Sequence, residues 1–144
     1  MAALTVNSVP PTTKLPPGQN PVIMDYDLAA NAIIYKGAFV KLGTTGITAS
    51  TGTGRCLGYA IEGKIDNTGG AAGDKTAKIV LGDIIEHAVA TVANAADIKK
   101  RVFASDDQTL TLVSTSNGFV GWVYQHVTST TALVKMAGPA VPSA

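Results

Sequence analysis

The chain has 144 residues, 46% of them hydrophobic, and its eleven basic and ten acidic side chains leave a formal net charge of +1. This length suits one domain, and the apolar content is enough to fill a core of ordinary size. The near-neutral balance lacks the positive charge with which nucleic-acid-binding proteins contact phosphates, so we predict no nucleic-acid partner. No apolar stretch approaches the roughly 20 residues needed to span a bilayer. We therefore also predict no membrane partner.

Cysteine usage and the first residues indicate where the chain is made. Cys56 is the single cysteine, so an internal disulfide or a thiolate metal cluster is excluded. Residues 1–9 lack the charged and apolar segments of a signal peptide. We expect synthesis and folding in a reducing host cytoplasm.

Prolines divide the chain into parts. Five of them lie within residues 10–21, and the next follows Gly138. Because proline fixes φ and removes a backbone donor, such a segment favours extended conformations over helix or central strand. We predict three parts: an extended proline-rich N-terminal arm over residues 1–27, a β domain over residues 28–137 and a C-terminal tail over residues 138–144.

The arm carries more apolar side chains than a solvating linker would. An extended segment of this kind is expected to lie on a surface and to become ordered there. The alternatives are an N-terminus that packs on its own domain and one that is disordered. The predicted binding residues are Leu4, Val6, Val9, Leu15, Val22, Ile23 and Met24.

Apolar residues recur at every second position in the domain, with Gly, Asn and Asp between the runs. Thr109–Leu112 and Val120–Tyr124 alternate in this way, which is typical of half-buried strands. Ala93–Arg101 alone reads as helical, for a turn or two capped by Asn94. The pattern predicts a mainly β fold of about eight strands with one short helix.

Short blocks of sequence repeat at an offset of 63 residues, so that Gly58 falls on Gly121 and the aromatic Tyr59 on Trp122. Two similar units forming one small barrel are the predicted result; the alternative is chance similarity among short β patterns. The two glycines are expected where a strand bends or where a facing aromatic ring needs room. The first unit has a longer glycine-rich loop at residues 62–75, which we expect to be a variable surface and a second attachment element.

Catalytic and ligand-binding patterns fail on spacing. In the glycine-rich stretch 69–76, Asp74 precedes the lysine, where its charge would oppose a phosphate, and the loop lies between strands. His87 and His126 lack a second ligand at short spacing. Cys56 is expected to be a small buried thiol, and Asp106 with Asp107 to form a turn pair. We predict no enzyme activity, no cofactor and no metal.

Four segments together resemble the bacteriophage capsid cement, or head decoration, family. The resemblance covers roughly residues 28–137, although Arg101 stands where members of that family usually have glycine. It implies a small β-barrel or β-tulip that binds the outer surface of an assembled capsid, commonly as a homotrimer, with an arm along the shell and no catalytic residues. The four segments are Tyr35–Leu42, Gly54–Ala60, Asp97–Ala104 and Asn117–Val123.

The expected role is therefore that of a structural virion protein, located on the capsid exterior, with the major capsid protein as its partner. Binding across several subunits would stabilise the assembled shell against internal genome pressure by mass action. The alternatives are another virion part, such as a tail or fibre module, and a carbohydrate-binding β domain. A small hydrolase is the enzyme alternative, and it would need a carboxylate in a pocket beside His87 or His126.

Overall fold

The computed structural model describes residues 4–15, 19, 21–51, 54–90, 92 and 95–137. The mainly β class is confirmed, since these residues form thirteen strands and one short 3₁₀ helix, Ala95–Asp97. The predicted cap Asn94 and the tail 138–144 lie outside the described residues. The strands are β1 (Thr12–Thr13), β2 (Val22–Asp27), β3 (Ile33–Ile34), β4 (Phe39–Leu42), β5 (Ile47–Ala49), β6 (Cys56–Ala60), β7 (Ile65–Asp66), β8 (Thr76–Leu81), β9 (Ile84–Ala90), β10 (Arg101–Ala104), β11 (Leu110–Thr111), β12 (Gly118–Thr128) and β13 (Thr131–Met136).

Five strands close into a barrel in the order β9, β11, β10, β12, β13 and back to β9. All neighbours are antiparallel except β11 and β9, which run parallel. Alternate side chains fill the interior with fully buried residues such as Val102, Leu110 and Val134. The predicted barrel is confirmed, but the count of about eight strands is not. Four of the thirteen strands are two-residue segments that no sequence period could reveal.

A second antiparallel sheet follows the order β2, β8, β6, β4, β5. Its two edges meet where Leu28 and Ile47 form a parallel bridge, and the Ala29 N–H donates to the Ile47 carbonyl at 3.1 Å. Leu28 and Ile47 are fully buried in the core of this sheet. Strands β3 and β7 form a separate two-stranded sheet. In the described ranges, no helix is long and apolar enough to cross a membrane.

The second sheet and the barrel order their strands alike. At the 63-residue offset β4, β5 and β6 correspond to β10, β11 and β12, and β2 corresponds to β9; in both sets one parallel pairing joins the ends. The closed barrel is built by residues 84–136 alone, and not by both units together as expected. The duplication itself stays a prediction.

Gly58 and Gly121 occupy matching positions in this arrangement. A Cβ at Gly58 would overlap the carbonyl oxygen of Val80, and one at Gly121 would overlap that of Lys135. Neighbouring strands therefore approach these positions too closely for any side chain. The group that needs the space is a backbone carbonyl and not a facing aromatic ring, one of the two expectations. The other, a bend in the strand, is in line with the register shifts that follow the partners of both glycines, Val40 and Val102.

Candidate docking surfaces

The thiol and the first imidazole lie in apolar surroundings. Cys56 is buried, and desolvation raises its pKa to about 12, so the thiol stays protonated at neutral pH. The His87 ring lies against Phe39 with ring centroids 5.2 Å apart, and burial lowers its pKa. In the described part of the chain, no three His, Cys, Asp or Glu side chains are placed to hold a metal ion. The lack of enzyme activity stays a prediction.

The two carboxylates of the predicted turn pair have different partners. Asp106 accepts a hydrogen bond from the Gln108 N–H at 2.9 Å, as a turn residue does. Asp107 is buried and accepts the Leu4 N–H at 2.8 Å. Burial raises the pKa of Asp107, and the Leu4 hydrogen bond opposes that rise. Asp107 thus fixes the beginning of the arm, a role that a turn signal does not reveal.

The main chain of the arm lies along its own domain. The Ser8 N–H donates to the Lys36 carbonyl at 2.8 Å, and the Lys36 N–H donates to the Asn7 side chain at 3.0 Å. Further along, β1 pairs antiparallel with β9, and the Lys14 N–H donates to the Ile84 carbonyl at 2.6 Å. The alternative of an N-terminus packed on its own domain therefore describes the backbone of the arm.

Asp83 is a buried polar residue that links the arm to the rest of the molecule. Its side chain is fully buried, and it accepts the hydroxyls of Thr13 at 2.6 Å and Tyr59 at 2.8 Å. Its carbonyl accepts the Met136 N–H at 2.8 Å. One residue therefore joins the arm, the second sheet and the barrel. Sequence reasoning missed it, because Gly82-Asp83 between two strands reads only as a turn.

The apolar side chains of the arm face away from the domain that its backbone contacts. Val9 is 86% exposed and Val6 is 67% exposed, whereas Leu4 and Leu15 are half-buried. An exposed apolar group on an otherwise anchored segment gains nothing from the fold itself. We name Val6, Val9, Val22, Ile23 and Met24 together the arm surface.

Strand β2 adds three consecutive exposed apolar residues, Val22, Ile23 and Met24. The strand pairs with β8 along one side over all six residues. On its other side the sheet edges meet only past the end of the strand, at Leu28, and residues 22–27 pair with no strand among the described residues. Asp25 forms an ion pair with Lys78 of β8 at 3.1 Å. Open edges of this kind pair readily with strands of other chains, and natural proteins usually protect them. The structure thus places Val22, Ile23 and Met24 on a sheet edge rather than on a free arm.

The glycine-rich loop 62–75 is held more firmly than expected. Asn67 is buried, and its side-chain amide donates to the carbonyls of Ala29 and Ala71, both at 3.0 Å. The loop also contains β7, which pairs with β3. This internal bonding gives the loop a fixed shape, and its attachment role stays a prediction.

Comparison with known proteins identifies the fold. A solved chain described as "The capsid of Myoviridae Phage XM1" superimposes with a TM-score of 0.56 at 19% sequence identity, and the match covers 94% of each chain. No family model and no curated protein matches the chain. The chain therefore shares its fold with a protein of a phage capsid.

Proposed function

We propose that this protein is a structural component of a phage virion that binds the outer surface of the capsid and stabilises the shell against genome pressure. The observation that carries the proposal is the arm surface, where exposed apolar side chains line a segment whose backbone is already anchored. The fold shared with a chain of a phage capsid supports the same assignment.

The physical basis of such binding is apolar area together with an open strand edge. Val9, Val6 and the start of β2 remain in water in the isolated chain, so their burial against a partner would be favourable by about 25 cal/mol per Å². The unpaired side of β2 can accept a strand from a neighbour, which supplies main-chain hydrogen bonds. Because the anchored backbone is already ordered, binding costs less conformational entropy than folding a free arm would.

The partners that follow from this proposal are the major capsid protein and further copies of the chain, as a homotrimer on the capsid exterior. A protein that contacts several capsid subunits binds the assembled shell and not the dissociated subunits. It therefore shifts the equilibrium toward the shell by mass action.

The test is binding of the purified protein to empty shells assembled from the major capsid protein of the same genome. Val6→Ser combined with Val9→Ser changes exposed side chains only, so the domain is expected to stay folded. We expect this variant to co-sediment with shells at least tenfold more weakly than the wild type. Val113→Ser is the matched control, since Val113 is 49% exposed and lies outside the arm surface.

Equal binding by the wild type and the double variant would contradict the assignment of the arm surface. Binding to purified tails, and not to shells, would favour the tail or fibre alternative. Deleting residues 1–24 is a poor test, because it would remove three of the six residues of β2 together with the Thr13 contact to Asp83.

A further inference from the structure

A shallow groove lies on the barrel, where the chain around the 3₁₀ helix meets strands β12 and β13. It contains the tryptophan of the chain and a tyrosine that is 54% exposed. None of its residues belongs to the arm surface or contributes to the metal and catalytic patterns considered above. We name it the Trp122 groove; it is lined by Ile98, Lys99, Trp122, Val123, Tyr124 and Lys135.

The two aromatic rings of the groove are positioned by the strand that carries them. Trp122 packs edge-to-face on Phe119 with centroids 5.3 Å apart, and Phe119 packs in the same way on Phe103 at 6.0 Å. This contact fixes the inner side of the indole and leaves it half-buried. Tyr124 lies where the pairing of β12 with β13 shifts register. Its neighbour Val123 is buried in the barrel core, and adjacent residues of a strand point to opposite faces, so Tyr124 points outward.

The groove is flanked by cations. Lys99 has a φ of +75°, and its N–H donates to the Val123 carbonyl at 2.8 Å, so its backbone is fixed at the groove. Lys135 is the cross-strand neighbour of Trp122 on β13, and its ammonium donates to the Gly82 carbonyl at 3.3 Å. Arg101 is the neighbour of Trp122 on β10, and its guanidinium lies 5.8 Å from the centre of the Phe103 ring. The nearby carboxylate of Asp97 is already paired, at 2.6 Å from the Lys100 ammonium. Positive charge therefore dominates this face.

We propose that the Trp122 groove binds an acidic polysaccharide, such as a polymer of uronic acids. The C–H faces of sugar rings carry slight positive charge and stack on the negative faces of aromatic rings, here the exposed ring of Tyr124 and the outer side of the half-buried Trp122. The carboxylates of the sugar pair with Lys99 and Lys135.

Two other partner classes fit the groove less well. Lysine is depleted at the centres of protein–protein interfaces, yet two lysines line this groove. Single-stranded nucleic acid requires a basic channel that follows many phosphates, whereas two lysines line this groove and the net charge of the chain is +1. The groove is independent of the proposed capsid binding in its residues, because none of those that line it belongs to the arm surface.

The chain has one tryptophan, so its fluorescence reports directly on the groove. We expect titration with oligogalacturonate of defined length to change Trp122 emission saturably, with neutral dextran oligomers giving no change. Lys135→Gln is expected to weaken binding by up to about fivefold, the range of an exposed ion pair. Tyr124→Ala is expected to weaken it about tenfold or more, and Tyr124→Phe to retain it. Added salt should weaken binding of the wild type.

Lys64→Gln is the matched control, because Lys64 is an exposed lysine that lies 5.7 Å from the Tyr35 ring, and it is not one of the residues that line the groove. Its affinity should equal that of the wild type. Should Tyr124→Ala prove unfolded by its thermal transition, the exposed Lys135→Gln variant still decides the outcome. The proposal is overturned by the absence of any emission change with oligogalacturonate, by an equal response to dextran, or by tighter binding of oligo(dT).

Discussion

Removing one hydroxyl should release the arm from the domain. In Thr13→Val the Asp83 side chain loses the 2.6 Å hydrogen bond from the arm but keeps the one from Tyr59. A hydrogen bond to a carboxylate contributes about 1.5–3 kcal/mol. Since about 1.4 kcal/mol is a factor of ten, local opening of the arm should increase about 10- to 150-fold. Valine suits a strand as well as threonine does, so the backbone preference is unchanged.

Amide hydrogen exchange measures this opening at the Lys14 N–H, which donates to the Ile84 carbonyl. Thr12→Val is the matched control. Thr12 precedes Thr13 in β1 and is also exposed, and its side chain forms no hydrogen bond with the residues that the structure describes. We expect protection at Lys14 to fall in Thr13→Val and to stay unchanged in Thr12→Val. Equal protection in the two variants would refute the role assigned to Asp83.

Three further outcomes follow from buried groups. Gly121→Ala should destabilise the barrel by about 1–3 kcal/mol or more in urea unfolding, because its Cβ would overlap the Lys135 carbonyl; an unchanged midpoint would contradict the close approach. Because the pKa of Asp107 is raised, the folded protein retains a proton that the unfolded chain has lost. Stability therefore falls as the pH rises from the ordinary pKa of an aspartate to the raised pKa of Asp107. Asp107→Asn should therefore gain stability relative to the wild type as the pH rises above the ordinary pKa of an aspartate, whereas a constant difference would argue against this linkage. Cys56 should react with a thiol reagent only after unfolding, since its thiol is buried with a pKa of about 12; rapid labelling of the native protein would show that the thiol is accessible.

The sequence predicted the features that depend on local periodicity. Alternating apolar residues revealed the class and most long strands, and the 63-residue offset matched strands that occupy corresponding places in the two sheets. The sequence predicted a barrel but not which strands close it, because the parallel pairing of β11 with β9 involves only two residue pairs between distant segments. The same offset did mark Gly58 and Gly121, although only the structure shows that backbone carbonyls face them.

The candidate docking residues were predictable only as apolar residues in a proline-rich segment. Their exposure depends on the contacts that hold the arm on the domain. Two of these contacts, the Thr13 hydroxyl to Asp83 and the Leu4 N–H to Asp107, involve carboxylates that read as turn residues in the sequence. Likewise, the alternation around Trp122 gave no sign of the register shift between Val123 and Gln125. Long-range hydrogen bonds and bulges leave little trace in local sequence patterns.

Electron microscopy of shells reconstituted with the protein tests the central claim most directly. We expect density for the barrel and the second sheet on the outer surface of the shell, with Val6, Val9 and β2 buried against capsid subunits. Shells without added density at saturating protein, or bound protein whose arm surface faces solvent, would contradict it.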